Sequence, residues 1–136
     1  MEADEKEERI IQTLSNCSDF GDAKIYYNNL LKFKKFFDND KEKTFVVDIL
    51  ESIGNRDRFL ILDALKNKDR CVCELEAILD KTQPAVSHHL KILEDSGLIK
   101  GWKKGRFTHY SLIKQTFSKF ESLMNDWLSN IRNWFG

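Results

Sequence analysis

Thr82-Gln83-Pro84-Ala85-Val86-Ser87-His88-His89-Leu90-Lys91-Ile92-Leu93-Glu94-Asp95-Ser96-Gly97-Leu98-Ile99 is the stretch on which the reading of this 136-residue chain turns. Thr82 offers a hydroxyl to the orphan amides of a helix start, and Pro84 falls in the first turn, where a missing N–H costs little. Val86, Leu90 and Leu93 recur at spacings of four and three, which makes one buried stripe. Gln83, Ser87, His88 and Lys91 lie on the opposite face, and Gly97 is placed to stop the helix. Such a helix, with base-edge chemistry near its N-terminus, suits a DNA major groove.

The flanking residues extend this reading. Upstream, Cys73 to Lys81 predicts a short helix with Leu75, Ile78 and Leu79 inward, close enough to form the elbow of a helix-turn-helix. Downstream, Ile99 to Trp102 and Phe107 to Leu112 are strand-like, with Lys103-Lys104-Gly105-Arg106 between them. Gly105 permits a tight turn, and three cations crowd the tip of the resulting wing. Like charges at a hairpin tip also serve simply to protect a sheet edge. Read with the helix, they are DNA contacts. The candidate set is Gln83, Pro84, Ser87, His88, His89, Lys91, Lys103, Lys104 and Arg106. Within it Gln83, Ser87 and His88 are expected at base edges, and Lys91, Lys104 and Arg106 at phosphate or in the minor groove.

The net charge is zero, yet it is polarised along the chain. Residues 81–110 carry six cations against two acids, and all three histidines, whereas residues 1–8 carry five acids against Lys6. Attraction to phosphate depends on the local field, so the overall balance does not exclude DNA.

Further helices are expected at Glu5 to Asn16 and from a cap at Asp19 to about Phe37, followed by a polar connector over Asp38 to Lys43. A third helix holds Phe45, Val46, Ile49, Leu50 and Ile53 and stops at Gly54; a fourth, capped by Asn55, turns Phe59, Leu62 and Leu65 inward. At the C-terminus, Phe117, Phe120, Met124, Trp127, Ile131 and Trp134 alternate spacings of three and four, a seam of the coiled-coil type. A dimer interface is the favoured use of that seam, because so small a domain has little core left to cover it. Packing against the chain's own N-terminal helices is the alternative, and the Phe- and Tyr-rich second helix is a candidate to share the interface.

Together the runs Ile53 to Leu62, Cys71 to Leu75, Gln83 to Leu93 and Gly97 to Ile99, with Gly105-Arg106 and Tyr110, resemble the ArsR/SmtB family of small transcriptional repressors. The resemblance covers residues 44–134, and residues 1–43 match nothing in it. It implies a mainly α, winged helix-turn-helix fold with a small β-hairpin wing, dimeric through terminal helices. It also implies a homodimer on double-stranded DNA with an inverted-repeat operator, often released by a metal or metalloid. The division expected is an N-terminal helical extension over 1–43 and a winged domain over 44–136, whose dimerisation helix spans 116–134.

Three cysteines, two of them separated by one residue, point to thiols or metal ligands rather than a disulfide framework. Thiolates take soft or borderline ions such as Cd²⁺, Pb²⁺, Zn²⁺ or As(III). In a regular helix Cys71 and Cys73 point about 200° apart, so they chelate only if Cys71 precedes the helix or its first turn opens. The family places thiolate sites in this box, but Glu76 stands where an arsenite-type box has a third thiol, and residues 115–134 contain no histidine for a zinc-type interfacial site. Cys17 is the remaining candidate third ligand. Thiol redox control, or no cysteine-borne effector, are the alternatives.

No phosphate loop, nucleophile elbow or metalloprotease motif is present, so no enzyme is expected. A winged-helix protein-interaction module is the competing class, but the basic wing speaks for DNA. No apolar run reaches the roughly eighteen residues of a membrane span, and the acidic start is unlike a signal peptide. A cytoplasmic protein without a membrane partner is expected.

Overall fold

The structure is a computed structural model that describes residues 2–17 and 21–136. The chain divides into two compact units, Met1–Thr44 and Phe45–Gly136.

The first unit holds α1 (Glu2–Asn16) and α2 (Ala23–Asn39), with Ile10, Ile11 and Leu14 of α1 half-buried. The cap expected at Asp19 lies outside the described residues. As described, α2 is capped by Asp22, whose carboxylate accepts from the amides of Lys24 (2.9 Å) and Ile25 (3.2 Å). The polar connector expected over Asp38 to Lys43 shrinks to one residue. Asp40 donates its amide to Phe37 O (3.1 Å), while its carboxylate accepts from the amides of Glu42 and Lys43 (3.1 Å each). One aspartate therefore ends α2 and starts α3 (Lys41–Ile53), and the lysines and glutamates around it, good helix formers, stay helical.

The second unit takes the C-terminal part of α3, then α4 (Arg56–Leu65), β1 (Arg70–Cys71), α5 (Val72–Leu79), α6 (Gln83–Asp95), β2 (Ile99–Lys104), β3 (Phe107–Leu112) and α7 (Lys114–Phe135). Its core joins Ile49 of α3, Ile61, Leu62 and Leu65 of α4, Leu75 and Leu79 of α5, and Val86, Leu90 and Leu93 of α6. Leu98 and Ile99 close it. α3 stops just before Gly54, where the chain lies so close to the helix that a Cβ would meet Leu50 O at 2.8 Å, so only glycine fits. Asn55 caps α4 as expected, accepting from Asp57 and Arg58 amides at 3.0 and 3.1 Å.

Two inward assignments are corrected. Phe59 is 60% exposed, because the buried arc of α4 centres on Ile61, Leu62 and Leu65, and Phe59 stands about 110° from that centre. Ile78 is exposed for a similar reason: α5 has eight residues, and its buried line runs through Leu75 and Leu79.

The sheet is antiparallel in the order β1-β3-β2. Lys103 and Lys104, expected in the turn, belong to β2, which pairs as far as Lys104 opposite Phe107. That leaves Gly105-Arg106 as a two-residue turn, with positive φ (65°) at the glycine alone, as a type II′ hairpin requires. The short strand β1 was not expected; it pairs Arg70 with Tyr110 and Cys71 with His109. Among the described residues no helix is long and apolar enough to cross a membrane.

Candidate nucleic-acid interface

Helix α6 starts where Thr82 accepts from the Ala85 amide (3.5 Å), with Pro84 in the first turn. It ends in a Schellman motif: Gly97, at φ 77°, donates to Glu94 O (2.9 Å), and Leu98 donates to Leu93 O (3.0 Å). Leu93 and Leu98, both buried, make the apolar contact that accompanies this motif. Only Asp80 to Thr82 separate α6 from α5, with Asp80 in the left-handed region at φ 53°. Asp tolerates that conformation better than most side chains, so the elbow closes tightly.

Val86, Leu90 and Leu93 are buried, which turns Gln83, Pro84, Ser87, His88 and Lys91 to the exposed side. His89, expected among the DNA contacts, is placed differently. Its ring turns toward α4, with Nδ1 3.3 Å from Arg58 Nη1 and Nε2 3.6 Å from Asp57 Oδ2. Burial, with the Arg58 guanidinium second, lowers its pKa below the ordinary 6.5. The reason is its position: His89 directly precedes Leu90, on the flank of the buried stripe.

The wing is tied to the recognition helix at its base. Burial raises the Tyr110 pKa, and the negative charge of Glu94 on α6 adds to that rise. Gly101, opposite Tyr110, leaves room for the ring, since a Cβ would lie 3.2 Å from Tyr110 Cε1. On the other face Trp102 stacks on His109, ring centroids 4.8 Å apart, and donates from Nε1 to Ser111 Oγ (2.8 Å). Lys100, Trp102 and Lys104 therefore share a face with Phe107, His109 and Ser111, and Lys103, Lys104 and Arg106 are all exposed. The stacked trio was missed in the sequence, although its alternate spacing along both strands was a usable signal. Arg58 and Asp57 left no such signal, because their partner is thirty-odd residues away.

Of the three thiols, Cys71 and Cys73 are the two brought together. Cys71 is buried in an extended conformation directly ahead of α5 (φ −82°, ψ 165°), the condition set for chelation by this pair. Cys73 is exposed in the first turn, and the neighbouring Cys71 thiol holds its pKa above the ordinary value. Glu74 accepts from the Cys71 amide (3.2 Å) and pairs with Arg70 (3.1 Å); the amide bond is the main cause of its lowered pKa. Cys17 is exposed after α1. Among the described residues no three His, Cys, Asp or Glu side chains are grouped to hold a metal ion.

The C-terminal stripe is divided in two. Phe117 and Phe120 pack on the unit's own core, and Met124 is half-buried. Trp127 (49% exposed), Leu128, Ile131, Trp134 (86% exposed) and Phe135 present their apolar surface to solvent.

Residues 55–100 match the family model described as bacterial regulatory protein, arsR family. An uncharacterized HTH-type transcriptional regulator of Methanocaldococcus jannaschii is 32% identical over 80 residues, which is 58% of this chain and 90% of that protein. The arsenical resistance operon repressor of Escherichia coli is 48% identical over 42 residues, 31% of this chain, but the match spans only 36% of that repressor. Among solved structures, reduced HlyU from Vibrio cholerae aligns with a TM-score of 0.56 at 28% identity, covering 65% of this chain and 95% of that one.

Proposed function

Because this chain belongs to the ArsR family of winged helix-turn-helix transcriptional regulators, we propose that it represses transcription by docking α6 in the major groove of an inverted-repeat operator. The observation that carries this reading is the division of α6: three apolar anchors hold it to the core while Gln83, Ser87, His88 and Lys91, the last paired with Asp95 at 3.7 Å, are exposed on the other side. Glutamine reads adenine by a bidentate pair, and serine and histidine hydrogen-bond to base edges. Lys103, Lys104 and Arg106 at the wing tip supply phosphate contact without sequence information.

An inverted repeat needs two readers about 34–36 Å apart, hence a dimer. The outer half of α7, from Trp127 to Phe135, is the surface we assign to a second copy. Selection of duplexes from a random-sequence pool is the direct test. The account expects enrichment of a two-fold symmetric site; recovery of unenriched sequence contradicts it.

For the effector we propose the Cys71–Cys73 pair. Two neighbouring thiols at the junction of β1 and α5 suit a soft cation or As(III). Their position gives a route to the DNA-reading surface. Cys71 pairs with His109 of β3, which pairs in turn with Trp102 of β2, and α5 packs on α6. A tenfold loss of DNA affinity needs only about 1.4 kcal/mol of differential ligand affinity. Cd²⁺ should give a thiolate charge-transfer absorbance that falls in C71S and C73S. It should also release wild type, but not C71S/C73S, from DNA. Release by oxidant and by no metal or metalloid replaces metal sensing with redox control.

A further inference from the structure

Apart from Tyr110 at its last turn, the described side chains that anchor α6 to the domain are apolar, except one. His89 reaches across to the first turn of α4, where both of its ring nitrogens meet charged side chains. Arg58 is itself pinned: Nε donates to Ser52 O at 2.6 Å and Nη2 to Glu51 O at 3.3 Å. Asp57 and Arg58 are further fixed by the Asn55 cap on their amides. A guanidinium has only donors, so Nδ1 of His89 must accept, and the proton sits on Nε2, facing the Asp57 carboxylate. Val86, Leu90 and Leu93 resist withdrawal of α6 from the core, but apolar contacts are non-directional and tolerate a small roll about the helix axis. A ring held on both edges does not.

We propose that neutral His89 is a positioning residue for DNA reading: it fixes the roll of α6 against α4, and protonation at Nδ1 releases that hold. The proposal rests on the reading of α6 as the base-contacting helix. A few degrees of roll move Gln83 and His88 relative to the groove while leaving the core closed.

The groups facing His89 decide the sign. From α4 come Arg58, which opposes a second proton, and Asp57, which favours it; from α6 itself comes His88, which opposes it. Burial is the largest influence and also favours the neutral ring. The folded pKa therefore lies below the unfolded value of about 6.5, and the hold is complete above that value. It is lost as pH falls from there through the lowered folded pKa.

The test uses fluorescence anisotropy with a duplex that wild type selects from a random pool, and an unselected duplex of equal length, between about pH 7.5 and about pH 5.5. H89Q keeps an acceptor for Arg58 and a donor for Asp57 but does not titrate, whereas H89L keeps neither. At the upper pH, H89Q should bind the selected duplex within about threefold of wild type. H89L should lose about tenfold, the size expected for a lost hydrogen bond to a charged group. On acidification, wild type should lose affinity that H89Q retains; the two proteins differ at residue 89 alone, so the difference belongs to His89. Parallel pH profiles for wild type and H89Q overturn the proposal even if H89L does not fold. So does H89L binding as tightly as wild type. If wild type fails to prefer its selected duplex, the reading of α6 has failed first, which is a separate and recognisable result.

Discussion

Single residues set the ends of the DNA-reading elements, and their contributions are separable. Asn55 satisfies two amides at the start of α4, so Asn55→Ala should cost about 1 kcal/mol in denaturant unfolding. Gly97 sits at φ 77° with open space around it, its nearest neighbour being Thr116 Oγ1 at 3.6 Å from a built Cβ. The penalty of Gly97→Ala is therefore conformational rather than steric, about 1–2 kcal/mol, and should appear as a lower midpoint with an unchanged denaturant slope. Glu74 is a carboxylate whose pKa is lowered mainly by the Cys71 amide. A lowered carboxylate stabilises the fold above its ordinary value of 4.5 and stops doing so as pH falls through the folded pKa. Glu74→Gln should flatten that acid limb of the stability curve, and an unchanged limb would assign it to other carboxylates.

At the scale of elements, α6 was legible almost entirely from its residues. Thr82, Pro84, the stripe of Val86, Leu90 and Leu93, and Gly97 each carry a local signal that the structure repeats. Asp40 shows where such reading runs out. A run of six polar residues looks like a connector, yet one residue serves both helices, its amide ending α2 and its carboxylate starting α3, and the residues on either side of it stay helical. Strand β1 was invisible because two residues carry no periodicity; only pairing with β3 makes Arg70 and Cys71 a strand. His89 was misplaced because a histidine beside a buried stripe looks like one on the open face until its partners on α4 are known. The wing, read from Gly105 and its cations, leads to a prediction of its own. Lys104→Ala should weaken binding to every duplex alike and lower the slope of log affinity against log salt by about one. An unchanged slope takes Lys104 off the phosphate backbone.

For the whole molecule, the stripe on α7 read as one seam serves two purposes. Its first turns cover the domain's own core through Phe117 and Phe120, while Trp127 to Phe135 remain uncovered. Phe120→Glu is thus a folding mutation, whereas Trp127→Glu places an unpaired charge in the proposed seam and should yield folded monomers in sedimentation. Operator affinity should fall with dimerisation, since each half-site alone holds one reader. A wild-type chain that sediments as a monomer at micromolar concentration refutes the seam. The central claim, that α6 reads bases while the wing holds phosphate, is tested most directly by Gln83→Ala. Its affinity should be compared with wild type on the selected duplex and on unselected DNA. The account predicts a loss of about 1–3 kcal/mol on the selected duplex and none on unselected DNA, whereas equal losses on both, or no loss on either, contradict it.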